Sequence, residues 1–165
     1  MSGYYGGTIV QKKIMFKILS IFTLALFVMS VTGAAATTAT GGKVVVVTKL
    51  DQINTALKKG PVFLRLGTIH CPHCRALEPT LKQLAKEYTG KATIMSIDID
   101  KSPKLAVYFG VRDVPDCSVI VSTKNGKYVY MQQNGKTTTV RSKARIIDDR
   151  SKSVYEKALN YATRK

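Results

Sequence analysis

The spacing of apolar residues changes several times along the chain, and each change marks an element. Lys43 to Thr48 holds four consecutive valines, a β-branched run that predicts a strand. From Leu50 the period lengthens. Leu50, Ile53, Ala56 and Leu57 recur at helical spacing, with Asp51 as the predicted cap and Gly60-Pro61 as the stop. Val62 to Leu66 is a short apolar run of the kind that forms a buried strand, interrupted only by Arg65. Leu77, Leu81, Leu84, Ala85 and Tyr88 then form a single helical stripe that Gly90 closes. Ala92 to Ile99, rich in isoleucine, predicts the next strand, and Ser102-Pro103 opens a short helix through Tyr108. Cys117 to Val121 is again β-rich. Asn125-Gly126 and Asn134-Gly135 are hairpin signals on either side of a strand from Tyr128 to Gln133. The capping box from Ser153 to Glu156 starts a last helix, with Val154, Ala158 and Tyr161 on one stripe and Tyr155, Leu159 and Ala162 on another. Alternation first and a hairpin later predicts an α/β fold, a central mixed β-sheet flanked by helices.

Ahead of these elements stands a different pattern. Lys12, Lys13 and Lys17 precede an apolar run from Ile18 to Val31, followed by Gly33-Ala34-Ala35-Ala36. Positive flank, apolar stretch and small-residue site are the signature of a secretory signal, with Ala34-x-Ala36 at the cleavage point. A start at Met15 would give an even more typical signal. Ile18 to Ala36 is also nearly long enough to remain as an uncleaved anchor, since a span needs about 20 residues. Residues 1–36 are therefore expected to be a signal peptide or membrane anchor, 37–42 a linker, and 43–165 the folded domain. Either fate of the segment places the domain outside the cytoplasm, secreted or anchored facing outward. Contact with the membrane is expected only through that segment.

The chain has 165 residues, room for one compact domain. Its 26 Lys and Arg against 10 Asp and Glu give +16. The basic residues are dispersed and accompany no nucleic-acid-binding motif, so a solvated basic face is expected and nucleic acid is not. Three cysteines are too few for a disulfide scaffold, and their odd number leaves one thiol unpaired.

The chemistry concentrates at His70-Cys71-Pro72-His73-Cys74. Cys71 follows an apolar strand and opens a helix, with Pro72 in the first turn where proline loses nothing. A sulfur there faces free N–H groups and the positive end of the helix dipole, and His70 and His73 flank it. Such surroundings pull a cysteine pKa from about 8.5 to roughly 3.5–7.5. Cys74, one helical turn on, is placed to close or resolve a disulfide. Stabilising the thiolate stabilises the reduced form, which makes the pair an oxidant of other thiols. The same residues offer four possible zinc or copper ligands in five positions. However, four so close in sequence cannot all converge on one tetrahedral ion, and no second ligand pair completes a site.

On these residues the stretch from Val62 to Val121 resembles the thioredoxin superfamily, and Cys71-Pro72-His73-Cys74 is identical to the active-site tetrapeptide of DsbA-like exported oxidases. Pro79, Ile97-Asp98-Ile99-Asp100 and Gly110-Val111-Arg112-Asp113-Val114-Pro115 match family features at family spacing. The resemblance implies a thioredoxin fold and a protein thiol-disulfide oxidoreductase. Cys71 would be nucleophile, Cys74 resolving thiol and His73 a tuning residue. Pro115 would be a cis-proline against the pair, and Val114, His70 and Pro72 would line the substrate site. It implies no cofactor beyond the Cys71–Cys74 disulfide, and no metal. Protein thiols and disulfides would be the substrates, a separate redox partner would reset the pair, and the chain would act as a monomer. The expected direction is oxidase or isomerase. The alternatives are a membrane-tethered reductase, and a zinc- or copper-binding envelope protein.

One position departs from the family. A buried acid is expected six residues before the first cysteine, and this chain has Arg65, with no acid between Asp51 and Glu78. Two readings follow. Either Arg65 lies near Cys74 and lowers thiolate energies, or a bulge turns it outward or pairs it with Asp98. Cys117, in an apolar run, is expected to be a buried structural thiol, and Tyr128, Tyr130 and Tyr155 packing or surface residues.

Overall fold

A computed structural model describes residues 42–148 and 150–164. The predicted signal or anchor, and all but the last residue of the linker, lie outside the described residues. The strands are β1 (Val45–Val46), β2 (Val62–Gly67), β3 (Thr93–Asp98), β4 (Asp116–Lys124), β5 (Lys127–Met131), β6 (Thr137–Thr138) and β7 (Ile146–Ile147). The helices are α1 (Leu50–Leu57), α2 (Pro72–Glu87), α3 (Pro103–Phe109) and α4 (Lys152–Thr163), with a 3-10 turn at Arg141–Lys143.

The strands form one mixed sheet in the order β1-β3-β2-β4-β5-β6, with β7 also on β4. β1 and β2 run parallel to β3, while β4 is antiparallel to β2, β5 and β7. β2 is central and every one of its residues is buried. Its side chains alternate between two cores, as a strand covered on both faces requires. Val62, Leu64 and Leu66 join Ile53 and Ala56 of α1 and Leu105 and Phe109 of α3. Phe63 instead joins Leu77, Leu81 and Leu84 of α2 and Tyr155, Ala158 and Leu159 of α4. Each large side chain so buried contributes about 1.5–3 kcal/mol.

The β4–β5 hairpin turns on Asn125 and Gly126, at φ +51° and +72°, the left-handed pair that a two-residue turn of type I′ requires. β5 stops at Met131, two residues before the predicted end. There Gln132 donates to the Lys136 carbonyl (2.8 Å) and Gly135 to the Gln132 carbonyl (3.0 Å), which closes the second turn.

Ser102 is the N-cap of α3, as predicted, whereas the other two predicted caps differ in the structure. α1 is capped at Lys49, not Asp51, because the Gln52 side-chain oxygen reaches back to the N–H groups of Thr48 (2.8 Å) and Lys49 (3.0 Å). Asp51 lies in the first turn, where its charge complements the dipole. α4 is capped at Ser151 and not at Ser153, so that it begins at Lys152, and Glu156 pairs with Lys152 at 3.1 Å one turn away.

Between the second hairpin and α4 the chain folds back onto the sheet. β7 pairs Ile147 with Asp116 and Ile146 with Cys117. Asp116 is wholly buried. It accepts from Arg141 through both carboxylate oxygens (2.7 and 2.9 Å) and from Arg145 Nε (2.9 Å). Arg141 also donates to the Phe109 carbonyl at 3.0 Å, so one ionic knot joins β4, the end of α3 and this returning segment.

Candidate active site

β2 ends at Gly67, and Cys71 is the N-cap of α2, with extended backbone (φ −85°, ψ 119°) and Pro72 as first helical residue. That geometry turns the Cys71 sulfur back over the first helical turn, where unpaired N–H groups point outward. Cys71 Sγ accepts the Cys74 N–H at 3.3 Å and lies 3.6 Å from the Val114 carbonyl. The Val114–Pro115 peptide bond is cis, and it carries Val114 to the dithiol from the end of β4. Both cysteines are free thiols here. Cys71 is partly exposed and Cys74 wholly buried beneath it.

The two sulfurs are pushed apart in acidity. For Cys71, burial is the largest influence and raises the pKa. Hydrogen bonds from the Cys74 thiol and N–H and from the His73 N–H, together with the Arg65 charge, outweigh it, so the thiol sits below its ordinary value. For Cys74, burial and the hydrogen bond it gives to Cys71 act together and push the thiol up to about 11. One sulfur is prepared to be a thiolate while the other keeps its proton.

Arg65 lies directly below. The register of β2 with β3 and β4 runs through it without a bulge, and its side chain is only 6% exposed. It rises on the α2 side of the sheet, donating to Ser96 Oγ and to the Cys74 carbonyl, both at 3.1 Å. The outward-turned alternative is therefore incorrect: alternation from Phe63 carries Arg65 to the face that α2 covers. Asp98 pairs with Lys101 (3.7 Å) instead.

The family model described as Thioredoxin matches residues 43–148. The chain belongs to the thioredoxin family. Thioredoxin from Chlorobaculum thiosulfatiphilum is 39% identical over 59 residues, covering 36% of this chain and 52% of that protein. Thioredoxin M5, chloroplastic, of Oryza sativa subsp. japonica is 33% identical over 69 residues, covering 42% of this chain and 38% of that protein. The matched segments thus span well under two thirds of these relatives. A mutant thioredoxin from Halobacterium salinarum NRC-1 superposes with a TM-score of 0.59 at 20% identity, covering 77% of this chain and 96% of that one, which shows the common fold.

Of the other expected site residues, Pro72 and His73 are exposed on the first turn of α2 and His70 just before it. The His73 N–H bears on Cys71, whereas the His70 N–H is bound to Thr68 Oγ1 at 3.2 Å. Among the described residues no group of three or more His, Cys, Asp or Glu is placed to hold a metal ion, so the structure assembles no ligand set from His70, Cys71, His73 and Cys74. Tyr128 and Tyr130 pack over the α1 and α3 side, and Tyr155 is buried edge-on to Phe63.

Two residues at this thioredoxin-family site escaped the sequence reading. Ser96 is polar in a predicted apolar strand, and nothing local marks it as the partner of Arg65. Gly67 carried a legible signal, since glycine ending a buried strand marks a close approach. A Cβ there would stand 2.7 Å from Cys74 Sγ and 3.1 Å from Arg65 Nη1. Gly67→Ala is expected to destabilise the reduced protein by about 1–3 kcal/mol, the range for overpacking, as read by thermal unfolding. An unchanged midpoint would show that the dithiol yields freely.

Cys117 is fully buried in the α2-side core. Burial, reinforced by the neighbouring Asp116 charge, drives its thiol far above the ordinary range. In the oxidised native protein no thiol should react with a disulfide reagent, and one should appear on denaturation. Fast native labelling of Cys117 would contradict its placement.

Proposed function

We propose that the chain is a protein thiol-disulfide oxidoreductase that works outside the cytoplasm, chiefly in the oxidising direction. The observation that carries this reading is the split between the two sulfurs. Cys71 is partly exposed, stabilised as thiolate and set against the Val114–cis-Pro115 loop, while Cys74 is buried and held as a thiol.

In the oxidising direction a substrate thiolate attacks Cys71 Sγ of the Cys71–Cys74 disulfide. The S–S bond breaks, Cys74 leaves and takes up a proton, and a mixed disulfide joins Cys71 to the substrate. A second substrate thiolate then attacks the substrate sulfur of that bond and expels the Cys71 thiolate. A low-pKa sulfur leaves readily, and its stability draws the exchange forward. The pair carries both electrons, so the reaction calls for no cofactor, and a separate partner must reoxidise it. Val114, whose carbonyl lies 3.6 Å from the exposed sulfur, would meet the substrate together with Pro115, Pro72 and His70, and His73 would tune the sulfur. Location rests on the basic, apolar and small-residue order of residues 1–36.

The same chemistry run as a reductase is the second reading, favoured by the fact that the similar curated proteins are themselves named thioredoxins. The equilibrium of the pair with glutathione decides between them. A potential above about −200 mV is expected, in the range of oxidising dithiols. A value near about −270 mV, that of a reductant, would overturn the oxidase direction.

A further inference from the structure

One row of the sheet beneath the dithiol runs Ser96, Arg65, Cys117, with Arg65 the register partner of Ser96 on β3 and of Cys117 on β4. The Arg65 guanidinium is buried and its hydrogen bonds end on neutral acceptors, Ser96 Oγ and the Cys74 carbonyl, while its Nε has no partner. Among the described residues no carboxylate pairs with it. Asp98, at the end of β3, is engaged by Lys101. Asp116, beside Cys117 but on the alternate face of β4, is engaged by Arg141 and Arg145.

A guanidinium keeps its proton in a protein, and a buried charge without a counter-charge is strongly unfavourable. Arg65 therefore needs an anion. The guanidinium bonds the Cys74 carbonyl, and a Cβ at Gly67 would meet both Cys74 Sγ and Arg65 Nη1, so the charge lies under the dithiol, and it favours the thiolate of each of Cys71, Cys74 and Cys117. Cys117 is sealed in the core, and His70 and His73 are exposed at the surface and supply no negative charge. The anion left is a thiolate of the dithiol.

We propose that Arg65 is the built-in counter-ion of the active-site thiolate, a charge left unpaired by the disulfide and paired on reduction, so that it draws the couple toward its reduced form. The proposal rests on the redox reading above and assigns Arg65 as a positioning residue acting through the sulfurs. In exchange with glutathione, two glutathione thiols give up two electrons and two protons and join as a disulfide. The Cys71–Cys74 bond breaks and accepts the electrons. Cys74 takes one proton, Cys71 remains a thiolate above the Arg65 charge that is anchored on the Cys74 carbonyl, and the other proton goes to solvent.

The test is the glutathione equilibrium measured between about pH 5 and pH 8 for the wild type, Arg65→Met, Arg65→Gln and Arg65→Lys, read as [oxidised][GSH]²/([reduced][GSSG]). In the wild type this ratio is level below the Cys71 pKa and falls tenfold per pH unit above it, because one proton is then released per pair reduced. In Arg65→Met and Arg65→Gln the onset of that fall should move to higher pH and the ratio at neutral pH should rise severalfold. Arg65→Lys, which keeps a charge, should lie closer to the wild type. The disulfide form has no anion for Arg65, so oxidised Arg65→Met should unfold at no lower temperature than the oxidised wild type, and its loss should be confined to the reduced protein. Unchanged pH profiles in both neutral variants, or an oxidised Arg65→Met that does not fold, would overturn the proposal. A wild type that exchanges no disulfide with glutathione at any pH would overturn the redox reading together with it.

Discussion

Cys71→Ser is expected to lower disulfide exchange by roughly 10⁴-fold or more, because the serine hydroxyl at the same N-cap is neither nucleophile nor leaving group at neutral pH. The fold should survive, since serine is a good N-cap and Cys71 is only partly buried. Cys74→Ser should fail differently. Cys71 remains available to attack a substrate disulfide, but nothing resolves the product, so a mixed disulfide accumulates and appears as a shifted band under non-reducing electrophoresis. Accumulation in Cys71→Ser rather than Cys74→Ser would reverse the assignment of the two sulfurs. Acidity adds a second readout. Alkylation of Cys71 should reach its plateau below the ordinary thiol range, as its lowered pKa requires. The raised Cys74 acts with the opposite sign. Its protonated form stabilises the reduced fold below the ordinary thiol pKa, and that contribution is lost as pH rises through about 11.

Asp116→Ala should destabilise the protein by about 3–5 kcal/mol, among the largest effects open to a single substitution away from the sulfurs. The carboxylate is wholly buried and neutralises two guanidinium groups whose side chains are 9% and 17% exposed. Its removal leaves two mostly buried cations with neutral acceptors at best. For a domain of this size the melting temperature should fall by roughly 10–20 °C. The loss should also reach the site, because Asp116 follows Pro115 directly and the returning strand donates from the Asp148 N–H to the Pro115 carbonyl at 3.1 Å. Asp116→Asn keeps the shape and some hydrogen bonding but not the charge, and should recover only a minor part. A change under about 1 kcal/mol in Asp116→Ala would show that water reaches the two arginines and that the knot contributes little.

Much of this protein was legible from neighbouring residues alone. The stripe from Leu77 to Tyr88 and the isoleucine-rich run up to Ile99 state a helix and a strand through their periods, and the structure has α2 and β3 there. Cys71 and Cys74 one turn apart at a helix start state their chemistry the same way, since the N–H groups that act on Cys71 belong to the next residues of the chain. Those effects are local, and local order is carried by local spacing.

What depended on tertiary structure was which distant side chain met which. Asp51 and Ser153 had the right chemistry to cap helices. Gln52 reached the orphan N–H groups of α1 instead, and the start of α4 fell two residues earlier. The stretch between the second hairpin and α4 has no strong period, and it found its place only when β7 met the edge of β4 and Arg141 and Arg145 met Asp116. Arg65 shows the division most clearly. Its alternation with Phe63 in β2 could be read from the sequence, but which face α2 would cover, and that Asp98 and Asp116 would be engaged elsewhere, could not. Residue spacing along one chain sets periodicity and end effects. The surroundings of a buried charge are set by the packing of elements distant in sequence, as the register of Arg65 with Ser96 and Cys117 shows.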